Sequence, residues 1–259
     1  MKVFYGIILL SEGVLMKKIF NKDLRYLNKI RISHRGLWDY ESPENSIGAF
    51  KRCIDENIPI EFDVHLLKDG TLVVFHDDNL LRMTGKDMLI RNATYDDIKD
   101  LKLKDTDYGI PTFDEVLELV SGSVLLDIEI KCDVKGVKIL EELTKRLDKY
   151  KGKFIVKSFN PFYIWWFRVN RPNIVRGLLV SKLKKKKMNR FFKYALSKMW
   201  FNFLAKPDFI AFDYRDLPNK RIKKLQKKGI PILLFTLSED DIVKYDNDYN
   251  GFLYEEKRK

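Results

Sequence analysis

Eight short, β-rich apolar runs punctuate this chain, and longer amphipathic stretches separate them. The runs fall at 30–33, 60–64, 124–130, 154–158, 175–180, 209–212, 232–236 and 252–254. Between them, residues 46–56, 113–120, 137–150, 161–169, 188–203, 220–228 and 240–245 repeat apolar side chains at spacings of three and four, as helices with one buried face do. Strands that alternate with helices pair in parallel, and eight such units fit a closed (β/α)8 barrel of the TIM type better than an open sheet. No Gly/Ser/Pro-rich linker divides the chain. A single α/β barrel domain is therefore expected over 30–259, with 1–29 as an N-terminal extension for which a helix is one reading.

One further β-rich run, 71–76, interrupts the alternation. Asp69-Gly70 separates it from the second strand, and that dipeptide between two such runs signals a hairpin. A two-residue turn sets Lys68 opposite Thr71 and, counting back, Asp63 opposite His76. The barrel is thus expected to carry a small hairpin insertion after its second strand, returning His76 to the rim beside Asp63.

The charged residues within the strands narrow the chemistry. Glu61, Asp63 and His65 share one face of the second strand, because strand side chains alternate. Adjacent carboxylates on a buried strand repel each other unless a cation or protons compensate. Oxygen ligands suit a hard divalent metal, Mg2+ or Ca2+; a salt-bridged pair is the alternative. Residues 126–131 alternate strictly and put Asp127, Glu129 and Lys131 on one face. A barrel interior fills with apolar side chains, so an inward charged face belongs near the catalytic rim. Glu129 is placed to be a third carboxylate ligand, and Lys131, one pleat nearer the mouth, to meet a substrate anion. His34 ends the first strand and His76 ends the hairpin, and two histidines supply an acid and a base near neutral pH. Arg35 reads as a phosphate clamp. Together these groups describe metal-assisted attack on a phosphate ester, with no indication of which ester.

The order of the motifs adds a resemblance. Ser33-His34-Arg35-Gly36, Pro43-Glu44-Asn45-Ser46, Glu61-Phe62-Asp63, Lys68-Asp69-Gly70, Val73-Val74-Phe75-His76-Asp77 and Arg82-Met83-Thr84-Gly85 resemble the motif series of the glycerophosphodiester phosphodiesterase family. Glu129-Ile130-Lys131 and Ser158-Phe159 are similar to its next two elements. The resemblance implies a TIM-type barrel that cleaves glycerophosphodiesters to glycerol 3-phosphate and an alcohol through a cyclic phosphate. It implies Glu61, Asp63 and Glu129 as metal ligands, His34 and His76 as the acid/base pair, and Arg35 and Lys131 as phosphate contacts. His65 is not catalytic in that pattern and is left as a rim residue without a role. Two C-terminal segments depart from the family: Phe235-Thr236-Leu237-Ser238 stands where a Trp-Thr-x-Asn element is usual, and Leu253-Tyr254-Glu255-Glu256 replaces a closing Thr-Asp-x-Pro. Both shape the far wall of the pocket, so the leaving alcohol is less constrained than the reaction.

Composition bounds the setting. Lysine and arginine number 49 against 37 acidic residues, a formal charge of +12, which attracts anions. Cys53 and Cys132 are too few for a disulfide scaffold and read as reduced thiols of a cytoplasmic protein. No run of eighteen apolar residues spans a bilayer. The apolar start from Val3 to Leu10 follows a single Lys2, meets Glu12 and lacks a small-x-small cleavage site, so no signal peptide is expected. Residues 181–203 interleave eight lysines and arginines with six aromatics. An outer helix with a solvated basic face explains them, and peripheral contact with an anionic membrane is the functional alternative. No nucleic-acid-binding module is present, and the oligomeric state is open. Two further readings stand beside the soluble phosphodiesterase: a lysophospholipase D-like enzyme working at a membrane, and a catalytically silent barrel that binds anionic lipid.

Overall fold

The computed structural model of the protein describes residues 22–131, 136–182, 194 and 199–256. Each of the eight expected runs forms a strand: β1 (Ile30–His34), β2 (Ile60–Leu66), β4 (Leu126–Ile130), β5 (Phe154–Ser158), β6 (Arg176–Val180), β7 (Phe209–Asp213), β8 (Ile232–Leu237) and β9 (Gly251–Tyr254). A short strand β3 (Leu72–Val74) pairs antiparallel with β2. The other eight run parallel in the order β1-β9-β8-β7-β6-β5-β4-β2, and a β1–β2 pairing closes the ring. This is the (β/α)8 barrel that the strand–helix alternation predicts.

The described helices are α1 (Ile47–Asp55), α2 (Leu81–Thr84), α3 (Tyr95–Ile98), α4 (Phe113–Val120), α5 (Lys138–Leu147), α6 (Pro161–Asn170), α7 (Asn202–Ala205), α8 (Lys220–Gln226) and α9 (Glu239–Tyr245). Side-chain caps fix where several begin. Ser46 Oγ accepts the Ala49 N–H at 3.1 Å, Thr112 and Glu115 form a capping box, and Asn160 caps α6 ahead of Pro161. The caps of α1 and α6 turn the chain over the C-terminal ends of β1 and β5, where a barrel builds its site.

Apolar side chains fill the barrel floor: Ile32, Ile155, Leu179, Phe209, Leu233 and Leu253 pack inside the ring. Gly177 on β6 is paired with Phe209, and a Cβ there would lie 2.2 Å from the Phe209 ring, so only glycine lets that ring cross the floor. Outside the ring, Phe62 packs between Phe50 of α1 and Phe113 of α4, with ring centroids 5.7 and 6.1 Å away. The floor also holds Leu27, which is fully buried. Lys22 Nζ donates to the Ile174 carbonyl at 2.6 Å and pairs with Asp208, tying this segment beneath β6 and β7. Residues 22–29, expected to belong to an extension, thus complete the barrel core.

The hairpin departs from the expected register. Leu66 pairs with Leu72 and Val64 with Val74, and the Leu67 N–H donates to Thr71 O at 2.8 Å. Lys68-Asp69-Gly70 is therefore a three-residue loop, with Gly70 at φ +96, and Phe75, not His76, lies opposite Asp63. A one-residue slip swaps the faces of a strand. The observed register turns Val73 and Phe75 into an apolar cluster with Leu67, Leu80, Met83 and Ile98, and that burial outweighs the simpler turn. The insertion is correspondingly larger than a hairpin, running through α2 and α3 with its own core.

The basic aromatic stretch lies largely outside the described residues, as do Cys132 and residues 1–21; of 181–203, only 181–182, 194 and 199–203 are described. Cys53 is a buried thiol whose Sγ accepts the Leu37 N–H at 3.2 Å. No helix among the described residues is long and apolar enough to cross a membrane.

Candidate active site

The loop from β1 to α1 carries an unusual backbone. Arg35 and Asn45 both take left-handed φ values, +63 and +59, at a cost on the order of 1–3 kcal/mol each. Hydrogen bonds hold them there. The Asn45 N–H donates to Arg35 O at 3.0 Å, and the Arg35 N–H donates to Glu61 Oε2 at 3.1 Å. The Arg35 guanidinium donates to Glu44 Oε1 at 2.8 Å, and its Nε lies 3.4 Å from Asp63 Oδ2.

Neighbouring strands bring the carboxylates together. In the β2–β4 register, Glu61 lies beside Asp127 and, one pleat nearer the mouth, Asp63 lies beside Glu129. Glutamate is one methylene longer than aspartate, so Glu61 reaches up a layer while Asp127 does not. One oxygen from each of Glu61, Asp63 and Glu129 lies within 4.8 Å of the others, and all three residues are buried. Asn45 Nδ2 donates to Asp63 Oδ2 at 3.0 Å.

Lys131, expected to meet a substrate anion, donates to Asp63 Oδ1 at 3.0 Å and Glu129 Oε1 at 2.9 Å. Burial pushes the Asp63 carboxyl up, but the charges of Lys131, His76, Arg35 and His34 outweigh it and hold Asp63 well below the usual carboxylate range. Glu129 is likewise held down, its burial outweighed chiefly by Lys131. Asp63 and Glu129 are thus ionised, and Glu61 Oε1, which makes no hydrogen bond, has the Lys157 ammonium 3.2 Å away. Three buried carboxylates with oxygens within 4.8 Å of one another fit a hard divalent cation.

Each histidine is held by a carboxylate. His34 Nδ1 lies 2.7 Å from Glu255 Oε1, and His76 Nδ1 lies 2.6 Å from Asp77 Oδ1. The hydrogen bond to His34 holds the Glu255 carboxyl below its ordinary range. Asp77 is also held down, hydrogen bonds from His76 and Arg82 overcoming its burial. An ionised carboxylate only accepts, so Nδ1 is the donor in both pairs and Nε2 is the free face. His34 Nε2 is 4.0 Å from Glu61 Oε2, at the edge of the carboxylate cluster. A chain of ion pairs supports His76: Arg82 grips Asp77 at 2.5 Å and Glu44 at 2.7 Å, and Glu44 returns to Arg35.

All seven expected residues thus converge on the C-terminal ends of β1, β2 and β4. His65 does not join them at the rim. It is 3% exposed, its Nε2 lies 3.4 Å from the His76 carbonyl, and burial with nearby Lys131 pushes it down to about 4, so it stays a neutral packing group. Glu44, Asn45, Asp77 and Arg82 lay within the quoted motifs without a role assigned. Lys157 was also missed, although one lysine in the apolar run 154–158 was a legible signal.

The model of the glycerophosphoryl diester phosphodiesterase family matches residues 34–251, most of the chain. The chain belongs to this family. Within the glycerophosphoryl diester phosphodiesterases, a glycerophosphodiester phosphodiesterase of Caldanaerobacter subterraneus is 36% identical over 160 residues, which is 57% of this chain and 65% of that protein's length. The putative glycerophosphodiester phosphodiesterase YhdW of Bacillus subtilis is 28% identical over 221 residues, covering 80% of this chain and 85% of the relative. The fold is shared with a phosphodiesterase of Oleispira antarctica solved with sn-glycerol-3-phosphate, at a TM-score of 0.74 and 23% identity over 89% of this chain and 94% of that one.

Proposed function

We propose that this protein is a metal-dependent phosphodiesterase that hydrolyses glycerophosphodiesters to glycerol 3-phosphate and an alcohol. The observation that carries the reading is the convergence of three buried carboxylates with two carboxylate-held histidines and Arg35 at one barrel mouth. Glu61, Asp63 and Glu129 would hold Mg2+ or Ca2+, which when bound neutralises charge on the phosphoryl oxygens. Arg35 and Lys131 bring two further positive charges to the same phosphate.

The histidines divide the proton transfers. A glycerol hydroxyl forms a bond to phosphorus while one imidazole Nε2 takes its proton. The bond from phosphorus to the departing alcohol breaks as the other imidazolium returns a proton to that oxygen. Water then opens the cyclic phosphate with the two roles reversed. The test is glycerol 3-phosphate release from glycerophosphocholine, with and without chelator, for wild type and His76→Ala. Metal-independent turnover, or unchanged turnover in the variant, overturns this mechanism.

A second reading places the same chemistry on a lysophospholipid at a membrane surface. Phe162, Trp200 and Phe203 are 41%, 45% and 75% exposed on a chain of charge +12. The human protein named lysophospholipase D GDPD1 is 31% identical over 142 residues, 49% of this chain and 44% of that one. A cytoplasmic enzyme with peripheral membrane contact fits this reading. Co-sedimentation with anionic vesicles that weakens at high salt supports it, and no binding to such vesicles removes it.

A further inference from the structure

Beneath the three clustered carboxylates lies a charge that the reaction above does not use. Lys157 on β5 is fully buried inside the barrel. In strand register it pairs with Glu129, yet its ammonium serves the layer below, 2.5 Å from Asp127 Oδ2 and 3.2 Å from Glu61 Oε1. One pleat down the same face the strand carries Ile155, the ordinary filling of a barrel floor. A lysine in that position is costly to bury unless its charge is matched, and here two carboxylates match it.

We propose that Lys157 is the positioning residue of the metal centre: its ammonium fixes the Glu61 carboxylate for ligation and ties Asp127 into an ion pair, excluding it from the ligand set. The inference rests on the reading of Glu61, Asp63 and Glu129 as ligands. Four carboxylates line neighbouring strands here; the shorter Asp127 falls below the cluster, and the Lys157 counter-ion holds its charge in that lower layer. Asp127 is fully buried beside Glu61, and its oxygens are not among the three that cluster. The Lys157 ammonium pins Glu61 from below, while the Arg35 N–H pins its other oxygen from the side.

The test is a Mn2+ titration by calorimetry on folded protein, well below its melting temperature. Asp127→Asn/Lys157→Met removes both charges together, so the local net charge is kept and Glu61 alone loses the ammonium beneath it. The dissociation constant for Mn2+ is expected to rise about 10- to 100-fold, the usual effect of losing a partner that orients a ligand. Asp127→Asn alone keeps Lys157 over Glu61 and holds the affinity within about threefold of wild type. Asp127→Asn/Lys157→Gln is the second double variant, with a loss in the same direction. Wild-type affinity in either double variant, or a tenfold loss in Asp127→Asn alone, overturns the role of Lys157. A wild-type protein that takes up no Mn2+ overturns the ligand assignment itself, and this inference with it.

Discussion

His34 and Glu255 meet across 2.7 Å although 221 residues separate them in the chain. The contact exists because β9 pairs with β1 to close the barrel, which sets the residue after β9 beside the last residue of β1. Glu255 stands at the chain's departure from the closing element that the resemblance implies, and its place in the structure is against His34, one of the two histidines proposed as the acid/base pair. It makes the Nδ1 of His34 a donor and leaves Nε2 to face the carboxylates.

Glu255→Gln keeps a hydrogen-bonding oxygen but loses the charge that orients the His34 ring. Turnover is expected to fall about 10- to 100-fold with little change in KM, and Glu255→Asp to lose less. Steady-state kinetics on glycerophosphocholine measures both.

Glu44 and Arg82 form a clasp between the two halves of the site, with Arg82 nitrogens 2.7 and 3.0 Å from the Glu44 carboxylate. A double-mutant cycle with Glu44→Gln and Arg82→Ala is expected to give a coupling energy of about 1 kcal/mol in urea unfolding, because Arg82 is partly solvated. Arg82→Ala should also lower turnover, through the loss of its grip on Asp77 and so on His76.

Leu27 tests whether the N-terminal turn belongs to the barrel. It is fully buried in the barrel floor, so Leu27→Ala is expected to destabilise the whole domain by about 2–5 kcal/mol in urea unfolding. A loss below about 1 kcal/mol would mean that the turn is an appendage.

Alkaline pH probes the same region. Burial pushes the Tyr26 hydroxyl up to about 12, with Asp208 and Asp127 adding to the shift, and burial pushes Tyr254 up to about 12 as well. An unfolded tyrosine ionises near pH 10 while these stay protonated in the fold. Their contribution to stability is therefore complete below about pH 10 and lost between about pH 10 and 12. Thermal unfolding followed across that interval should show a falling midpoint, with a shallower fall in Tyr26→Phe.

The sequence made the barrel legible because each strand carried its own apolar run and each helix its own periodicity. The site was legible where charges broke those patterns: Glu61, Asp63, Glu129 and Lys131 stand out on strands that otherwise read as buried. What escaped was relational. The loop Lys68-Asp69-Gly70 allows two registers, and only the packing of Val73 and Phe75 into the insertion core chooses between them. Lys157 was visible as an odd residue, but its partners lie on β2 and β4 and no local spacing reveals them. Glu255 gave no local signal, since its meaning depends on ring closure.

That closure has a consequence for how the protein is made. A ribosome finishes His34, Arg35 and the proposed metal ligands within the first half of synthesis, and Glu255 follows 221 residues after His34. A nascent chain already carrying Glu61, Asp63 and Glu129 still lacks the strand that seals the ring and the carboxylate that orients its first histidine. Assembly of the site therefore reports that translation has passed the ninth strand.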